Sequence, residues 1–239
     1  MCHGKAVGDF SGDHSNSELN AFYSKRESVD EVLSKIFVGT AVVKKYVNHQ
    51  RFVKTLYYML ISLQGVDVDN LDERACSLTK VFSPKELANQ WQMQNLYWYK
   101  DYANCPLNGG IGKNSAKTLV AKIVEEADAA IAGNGLVANL RFGHDTGLLP
   151  LVALLNLDGA GSSYSDLDLL HNYWQDFSVI PMAGNLQMVF YRGGVAGKDI
   201  LVKFLLNERE VTLPISASTG KYYDWKSVKE YMLKLAEDK

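Results

Sequence analysis

Val137-Ala138-Asn139-Leu140-Arg141-Phe142-Gly143-His144-Asp145-Thr146-Gly147-Leu148-Leu149-Pro150-Leu151-Val152-Ala153-Leu154-Leu155 decides how this chain is read. Val137 to Phe142 is a short apolar run stopped by Gly143, the pattern of a buried β-strand. From Leu148 onward the chain stays apolar long enough for a helix. Thr146 or Asp145 is the expected N-cap, and Pro150 falls in about the first turn, where a missing N–H is tolerated. His144 and Asp145 stand between the two elements. Such a corner binds anions in α/β sheets, because free backbone N–H groups and the helix dipole both point there. The pair is therefore a candidate functional site. The plainer reading is that Asp145 only caps the helix and His144 is a satisfied, half-buried residue.

Working outward toward the N-terminus, helical signals dominate. Residues 1 to about 27 are polar and Gly/Ser-rich, as expected of a loop or frayed start. Ser28 and Glu31 form a capping-box pattern, with helical periodicity through Val32, Ile36 and Phe37. Apolar residues recur at helical spacing from Thr40 to Leu63, with a break at Asn48-His49. Leu71 to Val81 reads as another helix. Ser83-Pro84-Lys85-Glu86 combines a capping Ser, Pro at the first helical position and Glu at the third, the strongest helix start in the chain. The aromatic cluster Trp91, Tyr97, Trp98 and Tyr99 lies on the helix it opens and reads as core.

The character changes near Ala103 to Gly112, where a domain boundary is expected. That gives a helical domain over residues 1–110 and an α/β domain over 111–239. Asn114 or Ser115 is expected to cap a helix running to about Ala132. Beyond the central stretch, Leu186 to Arg192 reads as a strand. Ile200 to Leu206 and Arg209 to Leu213 read as a hairpin around Asn207-Glu208, and Asp224 as the cap of a final helix.

Composition narrows the function classes. With 239 residues the chain has ample length for a core, and its formal net charge of −2 argues against a general nucleic-acid binder. A local Lys/Arg cluster still suits an anionic small molecule. No run approaches the roughly 18 apolar residues of a membrane span. No signal peptide is recognisable at Met1. Cys2, Cys76 and Cys105 are too few and scattered for a metal knuckle; one pair could bridge. Gly109-Gly110-Ile111-Gly112-Lys113-Asn114 fails as a P-loop, since Leu107 and Asn114 stand where Gly and Ser/Thr are needed. Lys113 and Lys117 remain candidate contacts to an anionic substrate. Asn185, at the start of a strand, is a candidate pocket residue.

Phe142-Gly143-His144-Asp145-Thr146, followed by Leu-Leu-Pro-Leu, resembles the C-terminal His-Asp motif of the histidine acid phosphatases. Within that superfamily it is most similar to the bacterial multiple inositol polyphosphate phosphatases, which are phytase-like. The Trp91 to Tyr99 helix, Pro106-Leu107-Asn108 and Pro181 to Leu186 extend the resemblance over most of residues 20 to 236. It implies the C-terminal half of a histidine-phosphatase-type α/β sandwich plus part of a helical cap. It also implies phosphomonoester hydrolysis through a phosphohistidine, with an anionic phosphorylated small molecule as substrate and no metal or other cofactor. His144 would donate to the phosphate, and Asp145 would protonate the leaving alcohol. A periplasmic or secreted location goes with the family.

The family's nucleophile motif, Arg-His-Gly-x-Arg-x-Pro, finds no match here. Among His3, His14, His49, His144 and His171 only His3 precedes Gly, and Cys2 and Ala6 replace the two arginines. The expectation is a fragment, inactive alone, whose partner is the missing N-terminal segment of the same protein. An unpaired sheet edge should then leave it poorly soluble or self-associating. Two other readings stay open: a non-catalytic phosphate-binding or scaffold module, and a helical interaction domain.

Overall fold

Ser83 and Glu86 close the expected capping box. The Ser83 amide donates to Glu86 Oε2 at 2.6 Å, and the Glu86 amide donates to Ser83 Oγ at 3.3 Å. Lys35 reaches the same carboxylate at 2.6 Å. Burial raises the Glu86 pKa, but the bonds from Lys35 and Ser83 outweigh it and hold the carboxyl low. The computed structural model describes residues 17–63, 80–193 and 200–238. The expected helix over 71–81 lies almost wholly outside them, as do Cys2, Cys76, His3 and His14.

The chain divides into two compact units, residues 1–94 and 95–239. Within the first lie α1 (Ser17–Ser24), α2 (Val29–Ile36), α3 (Thr40–Tyr46) and α4 (His49–Ser62), followed by the start of α5 (Pro84–Tyr102). Val32, Leu33, Val53, Tyr57 and Phe82 form its core, with Leu87 and Trp91 packed on them. Two expectations change here. Ser17–Ser24 is helical, because Phe22 is buried and its ring lies under the Arg26 guanidinium. Ser28 occupies the N-cap of α2 but its hydroxyl makes no cap bond. Asn48 caps α4 as its position suggests, accepting from the Arg51 amide at 2.9 Å.

The second unit holds α6 (Ile111–Asn114), α7 (Lys117–Ile131), α8 (Asp145–Leu155), α9 (Leu170–Tyr173), α10 (Asp176–Val179) and α11 (Trp225–Glu237). Strands β1 (Leu186–Arg192), β2 (Ile200–Leu206), β3 (Arg209–Val211) and β4 (Tyr223–Asp224) form one antiparallel sheet. β1 pairs along the whole of β2, from Leu186↔Leu206 to Arg192↔Ile200, while β3 and β4 share the other edge of β2. Asn207 and Glu208 make the β2–β3 turn with φ of 51° and 65°. α11 packs on β2, β4, α7 and α8. Leu149 to Leu155 of α8, Val202 and Phe204 of β2, and Val228 and Met232 of α11 are buried. The mixed α/β class expected from the sequence is what the chain adopts. No helix among the described residues is long and apolar enough to cross a membrane.

The central strand does not form. Residues 136–144 run as unpaired chain. Val137, Leu140 and Phe142 are 106%, 78% and 94% exposed. An apolar run becomes a strand only when another strand accepts its N–H and C=O groups, and none of the described residues does. Three smaller corrections concern helix ends. α7 starts at Lys117 behind Ala116, because residues 111–114 form their own short helix, so neither Asn114 nor Ser115 caps it. α8 starts one residue earlier than expected, with His144 rather than Asp145 or Thr146 as N-cap. Pro150 therefore sits in the second turn, where its ring leaves the Thr146 carbonyl without a helical donor. Thr146 is exposed, so water can serve that carbonyl.

α7 and α11 are tied through Asp128, which accepts from Trp225 Nε1 at 2.9 Å and Lys229 Nζ at 2.5 Å. Burial raises the Asp128 pKa, but the bonds from Lys229 and Trp225 outweigh it and hold the carboxyl below its ordinary value. A depressed carboxyl stabilises the fold above its unfolded pKa, and loses that contribution as pH falls through the folded one. Asp128→Ala should therefore cost on the order of 1 kcal/mol in urea unfolding at neutral pH. The difference from the parent chain should shrink as the same measurement moves below the carboxylate range.

Candidate active site

α8 has two unlike ends. Leu149 to Leu155 are all buried, whereas residues 144–147 are exposed. The buried residues hold the helix; the exposed turn presents His144 and Asp145 to solvent. His144 has extended backbone, φ −102° and ψ 166°, and its carbonyl accepts from the Gly147 and Leu148 amides at 2.9 and 3.1 Å. Neither imidazole nitrogen is used in capping, which leaves the ring for other work. Asp145 Oδ1 accepts from the Thr146 amide at 2.8 Å, which orients the carboxyl at the positive end of the helix dipole. A side chain built on either Gly143 or Gly147 would meet nothing within 4 Å, so the surface around the pair is open.

The chain reaches this corner along a pinned route. Asn139 and Arg141 both bind Glu126 on α7. The Arg141 hydrogen bond pulls the Glu126 pKa down against the small effect of burial. Residues two apart in an extended chain point the same way, so Leu140 and Phe142 face the opposite side, outward. Sequence reasoning overlooked this anchor. Its signal was the alternation of polar Asn139 and Arg141 with apolar Leu140 and Phe142.

The other candidates fall in different places. Asn185 lies next to Gly184, and a Cβ on Gly184 would be 3.3 Å from Leu148 Cδ2 in the first turn of α8. The turn carrying Asn185 thus flanks the His144 corner, although Asn185 Oδ1 is occupied by Gln187 Nε2 at 3.0 Å. Lys113 belongs to the opposite end. Its Nζ donates to Asn104 Oδ1 at 2.8 Å, Asn104 Nδ2 to Gly161 O at 2.7 Å, and the Gly161 amide to Asn156 Oδ1 at 2.9 Å. Asn156 is the C-cap of α8, a helix of 11 residues and hence about 16 Å long. Burial, with some help from the Lys117 charge, lowers the Lys113 pKa. Lys117 donates to the Asp238 carbonyl. Structure brings together His144, Asp145 and the Asn185 turn; it does not bring the two lysines to them.

No group of His, Cys, Asp and Glu side chains among the described residues is arranged to hold a metal ion. Of the described histidines, His49 begins α4 in the other unit and His171 lies within α9. Cys105 is a buried free thiol, its pKa raised by burial.

A family model described as "Histidine phosphatase superfamily (branch 2)" matches residues 20–207. No curated protein matches the chain by sequence. Among solved structures, Bifidobacterium longum multiple inositol polyphosphate phosphatase in complex with phosphate is 22% identical, with a TM-score of 0.60. That match covers 75% of this chain and 39% of that one. The same enzyme in complex with inositol hexasulfate is 23% identical, with a TM-score of 0.53, covering 65% of this chain and 34% of that one. At this identity the likeness shows the fold. The chain spans between a third and two fifths of the length of these two relatives.

The exposed apolar side of residues 136–142 should make the isolated chain self-associate. Leu140→Ser combined with Phe142→Ser should shift its elution in size-exclusion chromatography toward the monomer. Unchanged elution of a mostly monomeric parent would show that this surface does not drive association.

Proposed function

Since the chain belongs to the histidine phosphatase superfamily (branch 2), we propose that it contributes the His144–Asp145 half of a phosphomonoester hydrolase. The favoured substrates are inositol polyphosphates, the class for which the structurally similar phosphatase is named. In this reading the His144 imidazole donates to a phosphate oxygen, where the first-turn N–H dipoles of α8 add to the attraction. A histidine supplied by another segment attacks phosphorus as the ester P–O bond breaks. Asp145 gives its proton to the departing alkoxide, otherwise a poor leaving group. Water then attacks the phosphohistidine, and the Asp145 carboxylate takes the proton as phosphate leaves.

The observation that carries this is the position of the pair. Two polar side chains stand exposed at the N-terminus of a helix whose remainder is buried. Residues 136–142 support a nucleophile supplied by a strand that pairs with them. Their outward side is apolar, and their inner side is already bound to Glu126. A second reading, a phosphate-binding module without turnover, is favoured by one fact. His171, the other described histidine of this unit, lies within α9 and not in the α8 corner.

Phosphate release from phytate and from an aryl phosphate, measured at mildly acidic pH, separates these readings. The chain alone should release none. Supplied with the segment that carries the nucleophile, it should turn over, and Asp145→Asn should lower that rate by about a hundredfold or more. Binding of phytate with no turnover under either condition would favour the binding module. Neither binding nor turnover would count against both.

A further inference from the structure

Asn207 does more than turn the chain. As the first residue of the two-residue β2–β3 turn it takes the left-handed conformation that such hairpins need and that Asn tolerates. Turn geometry accounts for its backbone but not for what its side chain holds. Asn207 Oδ1 accepts from the Asn185 amide at 3.1 Å, and the Asn207 amide donates to the Asn185 carbonyl at 2.9 Å. Asn207 Nδ2 donates to the carbonyls of Ser178 at 3.3 Å and Val179 at 3.2 Å. One side chain thus grips both ends of the turn that runs from Val179 to Asn185.

That turn does not hold its shape by local preference. Ala183 sits at φ 57°, a left-handed conformation that strains an L-residue with a Cβ. Gly184 is wedged between neighbours. A Cβ there would be 3.0 Å from Pro181 O, 3.3 Å from Asn207 Oδ1 and 3.3 Å from Leu148 Cδ2. The Leu148 amide in turn donates to the His144 carbonyl. Asn207, Gly184 and Leu148 are therefore near neighbours, and Leu148 is hydrogen-bonded to His144.

We propose that Asn207 is a positioning residue for the His144–Asp145 corner, holding the Val179–Asn185 turn against the first turn of α8. The substrate-facing consequence rests on the phosphatase reading above: the braced turn forms one wall for an anionic phosphorylated substrate and sets its place relative to His144. The bracing itself does not depend on that reading.

Two variants test it in the full chain. Asn207→Gly keeps the left-handed turn and deletes the side chain. Asn207→Asp keeps the Oδ1 acceptor and sets a carboxylate oxygen against the Ser178 and Val179 carbonyls. Asn207→Gly should speed hydrogen exchange at the Asn185 amide by about fivefold to tenfold, and Asn207→Asp, which keeps that acceptor, should speed it less. Both should also shift the His144 imidazole resonance and weaken binding of inorganic phosphate and inositol hexasulfate by a similar factor, with the β1–β2 amides still protected. An unmoved His144 resonance with faster Asn185 exchange would reduce Asn207 to a turn residue and overturn the proposal. A parent chain that binds neither anion would sink the phosphatase reading instead, while the His144 resonance still decides the bracing.

Discussion

The arrangement of the second unit depends on the burial of α8 from Leu149 to Leu155. Seven consecutive residues buried on every side leave a helix no freedom to rotate or slide, because each turn is in contact with other elements. At its C-terminal end Tyr231 Oη donates to the Leu155 carbonyl at 3.0 Å, and Asn156 and Asp158 fix the exit. Asp158 Oδ1 accepts from both the amide and the hydroxyl of Thr212. The N-terminal end is open by comparison. Rigidity at one end and exposure at the other is what a precise polar corner requires.

Tightness increases away from the corner. Around the C-terminal end of α8, the loop at 160–164 is held by Trp174 Nε1 on Ala160 O, Asn104 Nδ2 on Gly161 O and the Tyr164 amide on Tyr99 Oη. Burial pushes the Tyr99 hydroxyl up to about 12, so it stays protonated and can donate as well as accept at any physiological pH. Lys113 belongs to this frame, which explains why a lysine in a glycine-rich loop resembles an anion contact in sequence and serves as a strut in the structure. Its ammonium finds an amide oxygen, and the chain it supports never approaches His144.

What was legible in the sequence was local. The Ser83–Glu86 box, the break at Asn48-His49, the Asp224 cap and the Asn207-Glu208 turn all act within four residues, and all are present. The β1 and β2 strands read correctly because their apolar runs have each other as partners. Val137 to Phe142 is also an apolar run and forms no strand, because strand formation is a property of a pair and none of the described residues pairs with it. Ser28 carries a capping-box signature without the cap bond, since its backbone at φ −131° and ψ 39° departs from the extended conformation of a capping residue. His144 and Asp145 stand out as candidates because composition and position coincide there. The Asn207 hydrogen bonds do not, because they act across 22 to 29 residues, a range at which no spacing rule operates.

The link from Asn139 and Arg141 to Glu126 has a thermodynamic consequence for whatever pairs with this stretch. Fixing one residue's backbone costs roughly 1–2 kcal/mol, a loss that ordinarily falls on both strands when they join. Here side chains on one strand have straightened and fixed the backbone beforehand, so an incoming strand bears the ordering loss almost alone. Association at such an edge is strengthened without a single added contact. Glu126 thus acts from another helix, 13 to 15 residues back in the chain, on the backbone that leads to His144.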